Sequence, residues 1–289
     1  NNGMLHKDTF NDKVVLITGG GTGLGKSMAK YLLELGAKVI ITSRKESVIN
    51  KTCEEFNKDY PDCAIGFTGD VRSIDDVNNV IDSGYEKFTK IDCLVNNAAG
   101  NFISPTERLS PKAFDVIIDI VLKGTTYYTL NLGKRWIKDK TEGSILNIVT
   151  SYAFTGSGYV VPSAVSKGGV LAMTRSLGAE WGKYNIRCNA IAPGPFPTKG
   201  AWDRLVPAGF SKFINLKKRV PLKRFGEHQE LANLAAYLLS DYSAYMTGEV
   251  VTLDGGEWLY NAGQFNLLDK VPKAMWSLIE KTIRKKNKK

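Results

Sequence analysis

The sequence predicts an α/β protein: one domain built on a doubly wound parallel sheet of about seven strands, with helices on both faces. Two features carry that expectation. Short continuous apolar runs closed by glycine or a polar residue recur along the chain, as in Val14-Val-Leu-Ile-Thr18 and Val250-Val-Thr-Leu253, which is the pattern of strands buried on both faces. Stretches of helical spacing lie between them, so strands and helices alternate throughout. No linker, composition break or internal repeat divides the 289 residues, a length that suits one large core.

Taken in order, Val14–Thr18 is the first strand, and Gly19-Gly-Gly-Thr-Gly23-Leu-Gly25 leads into a helix over Leu24–Leu35. Val39–Thr42 is the second strand and Glu46–Tyr60 a polar helix, with Pro61 beyond its end. Ala64–Thr68 is the third strand, Ile74–Phe88 a helix, and Cys93–Asn97 the fourth strand. Ser110-Pro111 places an N-cap before a proline at the first helical position, and the helix it opens extends to Lys138. Ile145–Thr150 is the fifth strand, Ser163–Tyr184 a helix, and Ile186–Ile191 the sixth strand, broken by Pro193-Gly-Pro-Phe-Pro197. His228–Leu239 is helical, and Val250–Leu253 closes the sheet before Asp254-Gly-Gly256. Residues 198–225 form a substrate-side flap, in which Trp202 to Arg219 is irregular and basic; residues 257–289 form an extension with one amphipathic helix.

Hydrophobic residues make up 43% and charged residues 24% of the chain, the balance of a globular protein. No apolar run reaches the ~18–20 residues of a membrane helix, so stable membrane insertion is not expected. The net charge is +10, concentrated in Lys281–Lys289 and around Lys217–Arg219 and Lys223-Arg224. It reads either as solvated surface or as attraction for an anionic ligand; no nucleic-acid motif accompanies it. The four cysteines, Cys53, Cys63, Cys93 and Cys188, are scattered and read as reduced, mostly buried small hydrophobes. His6 and His228 are too few and too far apart for a metal site. No leader is visible ahead of Asn1-Asn2, and Asn287-Lys-Lys289 is not a peroxisomal address of the S-K-L type.

The glycines at 19, 23 and 25 sit between a strand and a helix. There the backbone can approach a pyrophosphate at a helix N-terminus, where free N–H groups and the dipole favour negative charge. Gly19, Gly20, Gly21, Thr22, Gly23, Leu24 and Gly25 are therefore assigned to a dinucleotide, in a Rossmann-type fold. An acid usually closes the second strand where the ribose 2′-OH is held. Here the chain reads Thr42-Ser-Arg44-Lys45, which suits a 2′-phosphate. NADPH is the expected cofactor, with Arg44 at its phosphate and Asp70 and Val71 at its adenine. Asn97, within Asn96-Asn-Ala-Ala-Gly100, lies beneath it.

These motifs, together with Pro193-Gly-Pro195 and Asp254-Gly-Gly256, resemble the short-chain dehydrogenase/reductase family over nearly the whole chain. The resemblance implies that Pro193, Gly194, Pro195 and Phe196 also line the cofactor. It further implies a Tyr-x-x-x-Lys pair, but here Ser163 precedes Lys167, Thr150 holds the usual Ser position and Lys123 the usual Asn position. One branch is similar in this departure, the mitochondrial-type 2,4-dienoyl-CoA reductases. Asn101-Phe-Ile-Ser-Pro-Thr-Glu-Arg-Leu-Ser110, Tyr152, Thr155-Gly-Ser-Gly and Val160-Val-Pro-Ser163 resemble it. That resemblance implies Tyr152, Asn101, Lys167 and Ser163 as the catalytic set, Lys167 also holding the nicotinamide ribose. Arg44, Arg72, Phe102, Ser110 and Arg204 follow as contacts to the acyl-CoA. It implies reduction of a 2,4-dienoyl-CoA to a trans-3-enoyl-CoA in β-oxidation, in a mitochondrial homotetramer. Lys123 replaces the branch's Asn as well, a departure that bears on a helix-positioned water or proton relay and not on the reaction itself. Two other functions stay open: another acyl-CoA or carbonyl reductase on this scaffold, and a non-catalytic NADPH-binding module.

Overall fold

The computed structural model describes residues 4–198 and 216–286. Seven strands lie among them: β1 (Val14–Thr18), β2 (Lys38–Ser43), β3 (Ala64–Thr68), β4 (Cys93–Asn96), β5 (Gly143–Ile148), β6 (Ile186–Pro193) and β7 (Val250–Leu253). They form one sheet in the order β3-β2-β1-β4-β5-β6-β7, and every pairing is parallel. The chain therefore runs outward from β1 in one direction, returns, and runs outward from β4 in the other. The crevice above the carboxyl ends of β1 and β4 is the point where such sheets bind ligands.

The continuous apolar runs are explained by two cores. Along β1, Val15 and Ile17 face a cluster holding Met28, Leu32, Leu231 and Ala235. Val14 and Leu16 face the opposite cluster of Val77, Ile81, Tyr128 and Leu132. Each alternate side chain meets a helix layer, so neither face of the strand can be polar. The helices are α1 (Gly23–Glu34), α2 (Glu46–Asp59), α3 (Ile74–Phe88), α4 (Pro111–Ile118), α5 (Gly124–Asp139), α6 (Tyr152–Thr155), α7 (Val161–Glu180), α8 (Leu216–Arg219), α9 (His228–Leu239), α10 (Glu257–Ala262) and α11 (Lys273–Lys286).

Four elements depart from the expectations. The helix expected from Pro111 to Lys138 is interrupted by a π-helical turn, Asp119–Lys123, between α4 and α5. There Gly124 N–H reaches back to Asp119 O. The wider turn sets Gly124 against Val71, where an added Cβ would lie 2.7 Å from Val71 Cγ2. Tyr152 does not simply end β5; it opens a separate single turn, α6. The helix placed over Ser163–Tyr184 begins at Val161 and ends at Glu180, followed by a 3-10 turn at Gly182–Tyr184. The C-terminal extension holds α10, a 3-10 turn at Asn266–Lys270 and α11 rather than one helix; Gly263 and Pro272 punctuate it. Of the expected flap, residues 199–215 lie outside the described residues. All four cysteines are free, Cys93 and Cys188 buried and Cys53 and Cys63 half-buried. No helix among the described residues is long and apolar enough to cross a membrane, and no cluster of three or more His, Cys, Asp or Glu side chains among them is placed to hold a metal ion.

Candidate active site

The loop after β1 is shaped by its glycines. Gly19 and Gly23 have φ of +66° and +55°, a region open to glycine at little steric cost. A Cβ on Gly25 would lie 2.4 Å from Gly19 O, so the loop closes on α1 only with hydrogen there. Thr22 caps α1 without a side-chain hydrogen bond, and no acid stands in the first turn. The N–H groups of that turn are thus left for an anion. From outside, Thr52 Oγ1–H donates to Gly21 O at 3.0 Å. On the β4 side, Asn97 Nδ2 donates to Thr18 O and Gly19 O at 3.0 and 3.3 Å. Thr18 Oγ1 accepts from the N–H groups of Asn97 and Ala98, each at 3.0 Å. Asn97 therefore holds the loop in place. Nothing in the spacing singled out Thr18, whose hydroxyl joins β1 to β4.

A second brace also escaped the sequence. Ser27 Oγ on α1 lies 2.8 Å from His228 Nδ1, and His228 Nε2 donates to Pro197 O at 2.9 Å. The imidazole joins α1 to the chain leaving β6. Gly194 of the Pro193-Gly-Pro195 run packs so closely that a Cβ would lie 2.6 Å from Asp254 Cβ. Phe196 is buried beside Gly226.

At the edge beyond β2 and β3, Arg44 is exposed. Asp70 grips Arg72: Arg72 Nε donates to both carboxylate oxygens at 2.9 and 3.0 Å, and the second guanidinium nitrogen adds a 2.5 Å contact. That hydrogen bonding holds the Asp70 carboxyl below the usual carboxylate range, with further help from Arg44, and raises Arg72. The two residues assigned to adenine and to CoA are thus each other's partners. Lys123 Nζ pairs with Asp119 at 2.6 Å, which raises the lysine. Ser110 caps α4, accepting Ala113 N–H at 3.2 Å. Phe102 is half-buried, its N–H donating to Asn101 Oδ1 at 2.9 Å. Arg204 lies outside the described residues.

Above β4 and β5 the four candidate catalytic residues converge. Tyr152 Oη lies 3.0 Å from Ser163 Oγ, and Asn101 Nδ2 donates to Tyr152 Oη at 3.4 Å. Ser163 and Lys167, one turn apart on α7, share a face. Lys167 is 6% exposed and donates from Nζ to Ile148 O at the end of β5. Burial depresses its pKa from 10.5 to about 8, because removing an ammonium from water disfavours the charged form. Thr150 Oγ1, at the position usually held by Ser, is buried without a hydrogen-bond partner among the described residues. The loop of residues 97–102 and the turn α6 thus bring together Asn101 and Tyr152, 51 positions apart, and the start of α7 adds Ser163. The result is a cluster of hydroxyl and amide donors, with a buried lysine one turn along α7 from Ser163.

The family described as enoyl-(acyl carrier protein) reductase matches residues 19–257. A solved short chain dehydrogenase from Bacillus anthracis is 42% identical with a TM-score of 0.79, covering 88% of this chain and 98% of that one. A 3-ketoacyl-(acyl-carrier-protein) reductase from Brucella melitensis, solved with NADH, is 28% identical with a TM-score of 0.77, covering 86% and 99%. The chain belongs to the short-chain dehydrogenase/reductase family of oxidoreductases. Within it, the chain is similar to a probable 2,4-dienoyl-CoA reductase 3 of Caenorhabditis elegans, named as (3E)-enoyl-CoA-producing. The two are 44% identical over 288 residues, 98% of this chain and 93% of the relative. A probable 2,4-dienoyl-CoA reductase of Bacillus subtilis, named as (2E)-enoyl-CoA-producing, is 43% identical over 248 residues, 86% and 97%.

Proposed function

We propose that the protein is an NADPH-dependent 2,4-dienoyl-CoA reductase that forms a trans-3-enoyl-CoA. The carrying observation is the position of the phenol: Tyr152, with Asn101 at 3.4 Å and Ser163 at 3.0 Å, stands where a carbonyl oxygen can receive donors. The usual Tyr-x-x-x-Lys phenol is replaced by Ser163, whose hydroxyl is a far weaker acid than a phenol. Proton donation to an alkoxide is then poorly served, and stabilisation of a thioester enolate well served. The relatives named as dienoyl-CoA reductases support this choice over another acyl-CoA or carbonyl reductase.

The glycine cradle and the uncapped N-terminus of α1 fit a dinucleotide pyrophosphate. Arg44 and Lys45, both exposed and with no acid between β2 and α2, fit a 2′-phosphate. The chemistry a nicotinamide held there would supply is hydride donation to C5 of the dienoyl group. Negative charge then spreads to the thioester oxygen. Tyr152 O–H and Asn101 N–H donate to that oxygen, each worth ~3–4 kcal/mol by the measure of oxyanion-hole donors. The proton reaches C2 from Tyr152 or from a water it holds, leaving the C3–C4 double bond. Lys167 supplies positive charge from below and holds the nicotinamide ribose.

The decisive experiment is NADPH oxidation with a 2,4-dienoyl-CoA, the product double bond being located by NMR. Efficient turnover of simple ketones without dienoyl-CoA reduction overturns the proposal, and NADPH binding without any acyl-CoA reduction supports a non-catalytic module. For the cofactor, Arg44→Ala is expected to raise the KM for NADPH by about tenfold or more and to leave that for NADH nearly unchanged, since only the first carries the phosphate. Equal losses for both assign Arg44 elsewhere. A mitochondrial homotetramer belongs to the same proposal and is checked by imaging the full-length protein and by sedimentation.

A further inference from the structure

The turn that carries Tyr152 has little to hold itself together. α6 is four residues long, and Ser151 before it makes no side-chain cap bond. An isolated turn of that length has no stability of its own. After it, Gly156 leaves the helix at φ +73°. A Cβ on Gly156 or Gly158 would meet nothing within 4 Å, so the following loop stands in the open. Yet Tyr152 Oη must keep one contact at 3.0 Å and another already stretched to 3.4 Å.

Phe154 provides the anchor. Two residues apart on a helix, Tyr152 and Phe154 point roughly 200° from each other, so whatever grips Phe154 fixes the rotation that aims the phenol. Ala153 and Phe154 pack on the apolar cluster of Val149, Val170 and Leu171. The Phe154 ring stacks on Trp258, with centroids 4.8 Å apart and planes 7° apart. Arg175 adds its guanidinium 5.9 Å from the Phe154 centroid. Trp258 is itself tied to the sheet: its backbone N–H donates to Asp254 Oδ2 at 2.8 Å. Asp254 follows β7 directly, and its Oδ1 accepts from Gly256 N–H at 2.8 Å.

We propose that Trp258 is a positioning residue that clamps α6 through Phe154 and so aims Tyr152 at the thioester oxygen. The segment immediately after β7 is then part of the reductase machinery, although it contributes no group to the reacting atoms. The proposal rests on Tyr152 being the donor. Misplacing such a group by a fraction of an ångström weakens a charge-assisted bond at the transition state while leaving the cofactor site alone.

The test compares Trp258→Ala with Trp258→Phe, which keeps a stacking ring. Trp258→Ala is expected to lower kcat by about 10- to 30-fold with NADPH affinity held within about twofold, and Trp258→Phe to restore at least about half of the wild-type kcat. In a Tyr152→Phe background, Trp258→Ala should remove less than about twofold more, because the two act through one group. Hydrogen exchange across residues 150–158 should accelerate in Trp258→Ala and not in Trp258→Phe. Unchanged exchange, a fully additive double variant, or a parallel loss of NADPH affinity overturns the proposal. If the wild-type protein reduces no dienoyl-CoA, the functional proposal fails on its own, and the exchange measurement still decides whether the clamp exists.

Discussion

Tyr152→Phe is expected to lower kcat/KM for 2,4-dienoyl-CoA by about 10²- to 10³-fold, with NADPH binding unchanged. The substitution keeps the ring and removes only the hydroxyl, so packing around α6 should survive. What it takes away is the donor that meets Ser163 at 3.0 Å and Asn101 at 3.4 Å. Since charge on the thioester oxygen develops only as hydride arrives, the loss should fall on kcat rather than on KM. Asn101→Ala removes the second donor and should act in the same direction. Combined with Tyr152→Phe it should add less than its separate effect, because both groups address one oxygen. Ser163→Ala should be milder, about tenfold, if Ser163 donates to Tyr152 Oη and thereby frees the phenolic proton for substrate. A rate near wild type in Tyr152→Phe, with Ser163→Ala inactive, would hand the donor role to Ser163 and restore ordinary carbonyl reduction as the better assignment.

The scaffold was more legible in the sequence than the catalytic turn, and the reason is periodicity. Val14–Thr18, Ala64–Thr68 and Val250–Leu253 coincide with β1, β3 and β7; in β1 burial on both faces leaves an unbroken apolar run, and the edge strands β3 and β7, only partly buried, keep a short apolar-rich run closed by a polar or glycine residue. Ile74–Phe88 and His228–Leu239 likewise coincide with α3 and α9. Short or irregular pieces have no such signal. A four-residue helix contains barely one period, so α6 could not be told from a strand end. The π turn at Asp119–Lys123 is followed by Gly124 packed against Val71 across the fold, a long-range contact that no local pattern encodes. Asp70 and Arg72 were assigned to different ligands, yet a two-residue separation in a tight turn lets them close on each other. Tyr152 and Asn101 were placed by family resemblance; their contact spans 51 positions and is a property of the sheet order. The Phe154–Trp258 stack joins residues on either side of β6 and β7, and neither aromatic is marked by its neighbours in sequence.

Lys167→Met is expected to abolish most activity while making the protein more stable at neutral pH. Lys167 is 6% exposed, and its folded pKa is pushed down to about 8 by loss of hydration. Below about pH 8 the ammonium is charged in both the folded and unfolded states, and the folded state bears the full desolvation penalty. Between about 8 and 10.5 the folded protein has released the proton and the unfolded chain still holds it. Folding stability therefore rises with pH through that window. Met fills a similar volume without the charge, so the variant should exceed wild type by roughly 3 kcal/mol near pH 7, the gap narrowing as pH climbs past 8. Denaturant titrations of both proteins at pH 7 and pH 9.5 read this directly. Function should move the opposite way. The ammonium donates to Ile148 O and, in the proposed mechanism, uses its remaining N–H groups on the nicotinamide ribose. In that mechanism its charge also attracts the anionic cofactor and favours donation from the Ser163 and Tyr152 hydroxyls. For wild type, kcat/KM for NADPH should fall on the alkaline side with a midpoint near 8, the free enzyme's value. In Lys167→Met that limb should vanish and kcat/KM should be lower by about 10³-fold. If activity falls but stability falls too, Lys167 is a structural strut whose hydrogen bond to Ile148 outweighs its desolvation. If the alkaline limb persists in Lys167→Met, another group carries the titration. The expected pair of opposite shifts is the mark of a charge kept in the interior for chemistry against its own solvation.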